Sequence, residues 1–165
     1  MSPIALVVGL VTAERAAELV YAERNTRALM RRGALEVGRG HYPLLVALHA
    51  AWLLALLWWV PAETPPNFVL IAAYLALQLL RAWTILSLGR YWTTRIITLD
   101  APLAERGPYR FLRHPNYAIV VAEIALLPLA FGAWKIALVF SMLNLSLLTW
   151  RIRIEDGALA VRRRA

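Results

Sequence analysis

Two clusters of polar residues near the C-terminus combine side chains that could do chemistry together. The first is Arg113-His114-Pro115-Asn116-Tyr117, and the second runs from Arg151 to Asp156. Between them they hold guanidinium, imidazole, phenol and carboxylate groups, which can orient anionic groups and transfer protons. Pro115 suits the first turn of a helix, where its missing N–H is no loss. Arg113 and His114 would then lie at the positive end of that helix, which favours a carboxylate or phosphate ligand.

Helical spacing extends each cluster along one face of a helix. Asn144, Arg151 and Glu155 are separated by seven and four residues, so they share a face. Asn116 and Glu123 are seven residues apart and share a face of the preceding helix. We therefore expect two polar lines that could face each other across a hairpin.

Most members of these clusters also have an ordinary structural explanation. Arg113 and Arg151 could anchor helices at a membrane surface, and His114 could simply cap its helix. Glu155 could be an i, i+4 partner of Arg151. Glu123 is harder to explain, because a carboxylate inside an apolar segment is costly without a partner or water.

The elements that must position these residues are hydrophobic. Of the 165 residues 61% are hydrophobic and the mean hydropathy is +0.58, against roughly 45–50% apolar usage in soluble chains. This predicts an all-α integral membrane protein with one domain, residues 1–165, whose motif-bearing core is 107–159. Without cysteines, disulfides and thiolate chemistry are excluded, and the three histidines lack metal-ligand spacing, so no metal site is expected.

About five transmembrane helices are expected from the apolar segments. They are Pro3–Tyr21, Pro43–Val60, Phe68–Leu88, Tyr117–Phe131 and Trp134–Trp150. The last two are short and predict a tight hairpin that turns at residues 130–133. The first carries Glu14, Arg15 and Glu18, so it either turns this stripe towards protein or lies in the interface. Arg81, near the end of the third, either extends to the membrane surface or faces a cavity.

The connection between the third and fourth segments is the longest non-hydrophobic section. It runs from Gly89 to Asn116, and its β-branched piece, Thr93 to Thr98, could form a short extended segment. A connection of this length is often functional.

The basic residues predict the orientation of the chain. All but three of the 18 arginines and lysines lie after the first segment, after the third, or from Arg151 onwards. The positive-inside rule then places the N-terminus outside and the C-terminus in the cytoplasm. Both polar clusters would face the cytoplasm. The net charge of +8 therefore reflects topology, and no nucleic-acid partner is expected.

The spacing of the two clusters resembles that of a known family. Gly107-x-Tyr109-x-x-x-Arg113-His114-Pro115-x-Tyr117, followed by Asn144 and by Arg151-Ile152-x-x-Glu155-Asp156-x-x-Leu159, resembles the isoprenylcysteine carboxyl methyltransferase family. The resemblance is closest to its short bacterial branch, some of whose members methylate lipid-like polyketides such as alkylpyrones. This chain departs from the pattern at Ile119, where the family often has Gly, and at Asp156, where a second Glu is usual.

The resemblance implies a membrane methyltransferase with a cytoplasmic pocket for S-adenosylmethionine and a lipophilic substrate that enters from the bilayer. It implies that Tyr109, Arg113, His114, Pro115 and Tyr117 enclose the cofactor together with Asn144. Glu123 and Glu155 join this predicted cofactor-binding set. Arg151 and Glu155 are the predicted catalytic residues, where cofactor and substrate meet. If the acceptor needs a general base, His114, Glu123 and Glu155 are the candidates.

Two other functions fit part of the pattern. Sterol-type reductases have a similar Arg-His-Pro-Asn-Tyr segment but bind NADPH, and a membrane scaffold or small transporter would bind no nucleotide. The pattern does not decide between a carboxylate and an enol or phenol as the acceptor.

Overall fold

Five α-helices form the protein, in a computed structural model that describes residues 2–99 and 106–160. They are α1 Pro3–Met30, α2 Tyr42–Trp59, α3 Phe68–Leu88, α4 Pro115–Ala130 and α5 Trp134–Ala160. The all-α class, the five helices and the C-terminal hairpin are therefore confirmed. Three helices, α2, α3 and α5, are long and apolar enough to cross a membrane, whereas α4 is a shorter apolar helix.

The connections between helices lie at two opposite ends of the bundle. Ser2 Oγ donates to the carbonyl of Ala62 at 2.8 Å, and the Asn67 N–H donates to the carbonyl of Ala130 at 2.7 Å. The start of α1, the α2–α3 turn and the α4–α5 turn therefore lie together. The opposite end holds the α1–α2 and α3–α4 connections and the end of α5, which are the basic parts of the chain.

Local sequence signals fix several helix ends. The Asn67 side chain accepts from the N–H groups of Val69 (3.0 Å) and Leu70 (3.2 Å), which caps the start of α3. Pro115 occupies the first turn of α4, as its fixed φ favours. Gly132, at φ +69°, makes the turn between α4 and α5.

Two helices extend beyond their apolar segments. Helix α1 continues past Tyr21 to Met30, because good helix formers and an Arg27–Glu23 ion pair at i, i+4 (2.9 Å) support it beyond its apolar part. Helix α5 continues past Trp150 to Ala160, so the second polar cluster is helical. The described residues do not include the basic residues of the C-terminal segment, Arg162, Arg163 and Arg164, or the side chain of Leu159.

Apolar side chains fill the bundle and also cover its outside. The central cluster combines residues of α1, α2, α3 and α4 with the turn that follows α4: Ile4, Val8, Val11, Trp52, Leu56, Val60, Tyr74, Val120, Ile124, Leu127, Ala130 and Phe131. Leucines such as Leu54, Leu79 and Leu86 are largely exposed on the outer surface. Apolar surface on this scale suits lipid as the surrounding solvent, and the chain is an integral membrane protein.

A two-stranded sheet lies at the basic end. Strand β1, Leu35–Val37, pairs antiparallel with β2, Ile96–Thr98, and places Glu36 opposite Ile97. The extended segment expected within Thr93–Thr98 is confirmed, whereas its partner β1 was not predicted. A 3₁₀ turn, Arg39–His41, follows β1. Residues 35–41 and 92–98 are called the strap below.

The α3–α4 connection also contains two 3₁₀ turns, Gly89–Tyr91 and Gly107–Arg110. Gly107 has φ +59°, and a Cβ there would collide with the Ser87 side chain of α3. Only glycine allows this close approach, which holds the turn bearing Tyr109 against α3.

Candidate active site

The α4–α5 hairpin brings the two polar clusters into direct contact. The Tyr117 hydroxyl, in the first turns of α4, donates to Glu155 Oε2 at 2.5 Å. Arg151 Nε donates to the same hydroxyl at 2.6 Å, and its guanidinium lies 5.5 Å from the centre of the Tyr117 ring. Tyr117 therefore joins the two residues that the sequence predicts to be catalytic.

Arg151 is buried and tightly held, with a relative exposure of 6%. Besides Tyr117, its Nη2 donates to the carbonyl of Thr94 at 2.8 Å, and its Nη1 lies 3.4 Å from His41 Nε2. Acceptors on three sides fix the direction of the guanidinium before any ligand binds. Such preorganisation avoids a cost of reorientation during reaction.

His114 turns towards α5 rather than capping α4. Its side chain makes no capping hydrogen bond, and its ring stacks on Tyr117 with 5.1 Å between centroids and 12° between planes. Its Nδ1 lies 3.7 Å from Glu155 Oε2 and its Nε2 lies 3.9 Å from Asp156 Oδ1. The imidazole thus lies beside two carboxylates.

The remaining residues of the predicted cofactor site before Tyr117 differ in burial; they are Tyr109, Arg113 and Pro115. Burial and the nearby negative charge of Glu155 raise the pKa of the Tyr109 phenol, so this phenol is close enough to sense the same carboxylate. Pro115 is buried at the start of α4, whereas Arg113 is exposed at the rim.

Asn144 lies two helical turns from Arg151 along α5 and is fully buried, at 0% exposure. Among the described residues, neither its amide nitrogen nor its amide oxygen has a hydrogen-bond partner, and the same holds for Asn116 Oδ1 and His114 Nε2. Leaving a buried polar atom unpaired costs about 1–3 kcal/mol. Such atoms call for a polar ligand or water, and they fit a cofactor with hydrogen-bonding groups of its own.

Glu123 belongs to a different cluster, here called the charge quartet: Arg15, Glu18, Arg81 and Glu123. Arg81 binds both oxygens of Glu18, at 2.5 and 2.6 Å, and also Glu123 at 3.2 Å. Arg15 closes the cycle through Glu18 at 2.9 Å and Glu123 at 3.0 Å. All four side chains are at least 84% buried, and their formal charges sum to zero.

The quartet settles two alternatives that the sequence left open. Arg81 faces the protein and does not extend to the membrane surface, and the charged stripe of α1 turns inward through Arg15 and Glu18. The contact of α4 with Glu155 of α5 is made by Tyr117, which does not lie on the predicted polar line of α4. Glu123 instead bonds towards α1 and α3, because two arginines compensate its charge there.

His41 and Thr94 were not among the predicted site residues, although both contact Arg151. Each lies far from the motifs along the chain, in a connection between helices. The sequence offered weak signals, among them the long polar connection around Thr94.

A helical bundle with apolar outer surfaces and a polar site at one end defines a membrane-embedded protein. The model of the isoprenylcysteine carboxyl methyltransferase (ICMT) family matches residues 69–161. This is more than half of the chain and includes both polar clusters. The chain belongs to this family, and membership implies a membrane methyltransferase.

Two bacterial relatives match nearly the whole chain. An uncharacterized protein of Bacillus subtilis strain 168, YpbQ, is 35% identical over 167 residues, which cover 93% of this chain and 95% of the relative. An uncharacterized protein of Haemophilus influenzae strain Rd is 27% identical over 157 residues, which cover 91% of each chain. No solved structure matches the chain.

Proposed function

We propose that the protein transfers a methyl group from S-adenosylmethionine to an oxygen of a lipophilic acceptor, either a carboxylate or an enol or phenol. The observation that supports this most is the chain Arg151–Tyr117–Glu155, with bonds of 2.6 and 2.5 Å. It joins the two motif segments of the family, and the His114 ring that stacks on Tyr117 has a buried Nε2 without a partner among the described residues.

The cofactor would be held by residues of the α4–α5 hairpin and the turn before it. These are Tyr109, Arg113, His114, Pro115, Tyr117, Asn144 and Glu155. Asn144 offers a donor and an acceptor without partners, and Asn116 offers an acceptor. When bound, the cofactor supplies an electrophilic methyl group on a sulfonium. Glu123 is omitted from this set, because its two oxygens are already bonded to Arg15, Arg81 and Gln78.

Methyl transfer is an in-line displacement, so the protein must hold the acceptor oxygen on the line of attack. Arg151 suits this role because its guanidinium is buried and already oriented, so it can direct an acceptor oxygen or a cofactor carboxylate. Glu155 is partly exposed and accepts from Tyr117. It can therefore hold Tyr117 and Arg151 in place or bind the cofactor ammonium.

The need for a base depends on the acceptor. A carboxylate is already ionised, whereas an enol or phenol must lose a proton. His114 is the first candidate to accept it, because its ring stacks on Tyr117 and lies 3.7 Å from Glu155. Glu155 is the second candidate.

The basic end of the bundle would face the cytoplasm, with the N-terminus outside. This orientation brings a water-soluble cofactor to the site from the cytoplasm, while a lipophilic acceptor reaches it from the bilayer. Membrane lipids surround the bundle, and nucleic acid is not a partner.

Purified protein incubated with methyl-labelled S-adenosylmethionine and a bacterial lipid extract should yield a labelled lipid. Arg151→Met and Glu155→Gln should each lower the rate about 100-fold or more, as loss of a preorganised polar group does elsewhere. Arg27→Met, which alters an exposed ion pair on α1, is the matched control and should retain the wild-type rate. Binding of NADPH without binding of S-adenosylmethionine would favour a reductase and overturn the proposal.

A further inference from the structure

Arg151 is held partly by residues outside the α4–α5 hairpin. Two of its three hydrogen-bonding directions end on the strap, at the Thr94 carbonyl (2.8 Å) and at His41 Nε2 (3.4 Å). His41 is itself buried, with 2% exposure, and the ring of Trp150 meets it edge-on at 6.0 Å. The contact with Arg151 determines which ring nitrogen of His41 carries the proton.

The protonation state of His41 follows from the hydrogen-bond donors of the Arg151 guanidinium. Arginine carries only donors and stays protonated, so the facing His41 Nε2 must accept. The imidazole is then neutral, with its proton on Nδ1. A protonated His41 would instead place two buried cations together, which burial opposes.

We propose that His41 is a positioning residue for Arg151, and that the strap is therefore part of the active site. The neutral imidazole accepts from Nη1, while the Thr94 carbonyl accepts from Nη2. Together they bind the two Nη atoms of the guanidinium, whereas Tyr117 binds Nε. The inference rests on the proposed function for its kinetic consequence, but the bond itself can be tested without any substrate.

Close packing holds the strap in this position. Gly38 has φ +67°, and a Cβ there would come within 2.7 Å of Ile154 Cγ2 and 3.0 Å of His41 Nδ1. The strap thus lies directly on α5, next to the turn that holds Arg151 and Glu155. The same conformation excludes residues with a side chain at position 38.

Polar contacts of the strap, one with Tyr42 at the start of α2 and one within the strap, fix the second acceptor as well. The Thr94 hydroxyl donates to the Tyr42 hydroxyl at 3.2 Å, and Arg95 binds Glu36 of β1 at 3.3 Å. These bonds join the α3–α4 connection to the α1–α2 connection beside the Thr94 carbonyl. Arg151 therefore cannot rotate away without losing acceptors from both connections.

The first test reads the imidazole directly by nitrogen NMR of protein labelled with ¹⁵N-histidine. There are three histidines, and the signals can be assigned with His49→Leu and His114→Gln. We expect His41 to carry its proton on Nδ1, and its Nε2 signal to move in Arg151→Met while that of His49 stays. A proton on Nε2 of His41 in the wild type would overturn the inference whether or not the protein is a methyltransferase.

The second test is kinetic and compares His41→Leu with His41→Gln. Leucine removes the acceptor, and kcat should fall about 10- to 100-fold, the loss that accompanies a hydrogen bond to a charged group. Glutamine places an amide oxygen near the position of Nε2 and should retain most of the activity. His49→Leu, in the adjacent helix α2 but outside the strap, should turn over like the wild type.

The outcomes separate the two proposals. Wild-type kcat in His41→Leu, or a folded His41→Gln as slow as His41→Leu, would overturn the positioning role. Absence of methyl transfer by the wild type would overturn the proposed function and leave the NMR result to decide on His41. If His41→Leu does not fold, the glutamine variant and the NMR measurement still decide whether His41 positions Arg151.

Discussion

The charge quartet gives the most quantitative prediction. Arg81 makes three bonds to Glu18 and Glu123 inside the bundle. In Arg81→Met, Arg15 is the only arginine of the quartet left for two buried carboxylates, so the quartet has one uncompensated negative charge. This variant should be destabilised, while its site residues around Arg151 remain in place.

The expected loss in the free energy of unfolding is about 3 kcal/mol. A charge at the centre of a membrane helix costs roughly 2.5–3.5 kcal/mol on insertion scales, and removal of one partner from a buried ion pair costs about 3–5 kcal/mol. The three broken bonds do not add to this value separately, because Arg15 still compensates one carboxylate. Glu18→Gln in the Arg81→Met background restores neutrality and should recover at least about 1 kcal/mol, a typical coupling between contacting residues.

The measurement is denaturant unfolding of the protein in bicelles, for the two single variants and the double variant. Arg27→Met is the control, because the Arg27 side chain is 71% exposed and its pair with Glu23 is worth about 0.2–0.5 kcal/mol. If the effects of Arg81→Met and Glu18→Gln add within about 0.5 kcal/mol, the quartet is not a coupled unit and the reasoning fails.

Three further predictions concern individual side chains. Glu123→Gln should destabilise the protein but leave the Kd for S-adenosylhomocysteine unchanged in calorimetry, whereas a tenfold weaker Kd would return Glu123 to the cofactor site. Asn144→Leu should have the opposite pattern. The melting temperature should stay equal or rise, because the variant no longer buries an unpaired amide. The affinity for S-adenosylhomocysteine should fall at least about tenfold, and an unchanged affinity would contradict this prediction. The raised pKa of Tyr109 keeps its phenol protonated through the ordinary titration range of tyrosine, so the ratio of Tyr109→Phe to wild-type activity should stay constant up to about pH 10. A change of this ratio that begins at about pH 9 and has its midpoint at about pH 10 would show that the phenol ionises normally.

The sequence predicted best those parts of the site whose positions depend on residues that cap helices and on the lengths of the apolar segments. Helix α3 has the predicted bounds, Phe68–Leu88, because Asn67 caps its start and Gly89 ends it. The apolar lengths of α4 and α5 then force a hairpin that returns the two polar clusters to the same end. The contacts of Tyr117 with Arg151 and Glu155 follow from that return.

The strap could not be predicted in the same way. Strand β1 has three residues, Leu-Glu-Val, within a connection rich in arginine and glycine. Its pairing with β2 places Leu35 opposite Thr98, 63 positions away along the chain, and depends on the packed bundle. The Thr94 carbonyl is a backbone group, so no residue type marks it as a ligand of Arg151. His41 has a recognisable side chain, but its partner is 110 positions away.

The protein holds two buried polar systems, and hydrogen bonding distinguishes their roles. In the charge quartet every charge faces an opposite charge. On α4 and α5, among the described residues, Asn144, Asn116 and His114 have buried atoms without a hydrogen-bond partner, while Glu155 and His114 stay partly exposed. The burial of an arginine does not by itself show whether its role is structural or catalytic. We assign Arg151 to the proposed reactive site because His41, which it contacts, and His114, whose ring stacks on Tyr117, each have a buried nitrogen without a partner among the described residues. We assign Arg81 to the structural cluster because both of its carboxylate partners are also paired with Arg15.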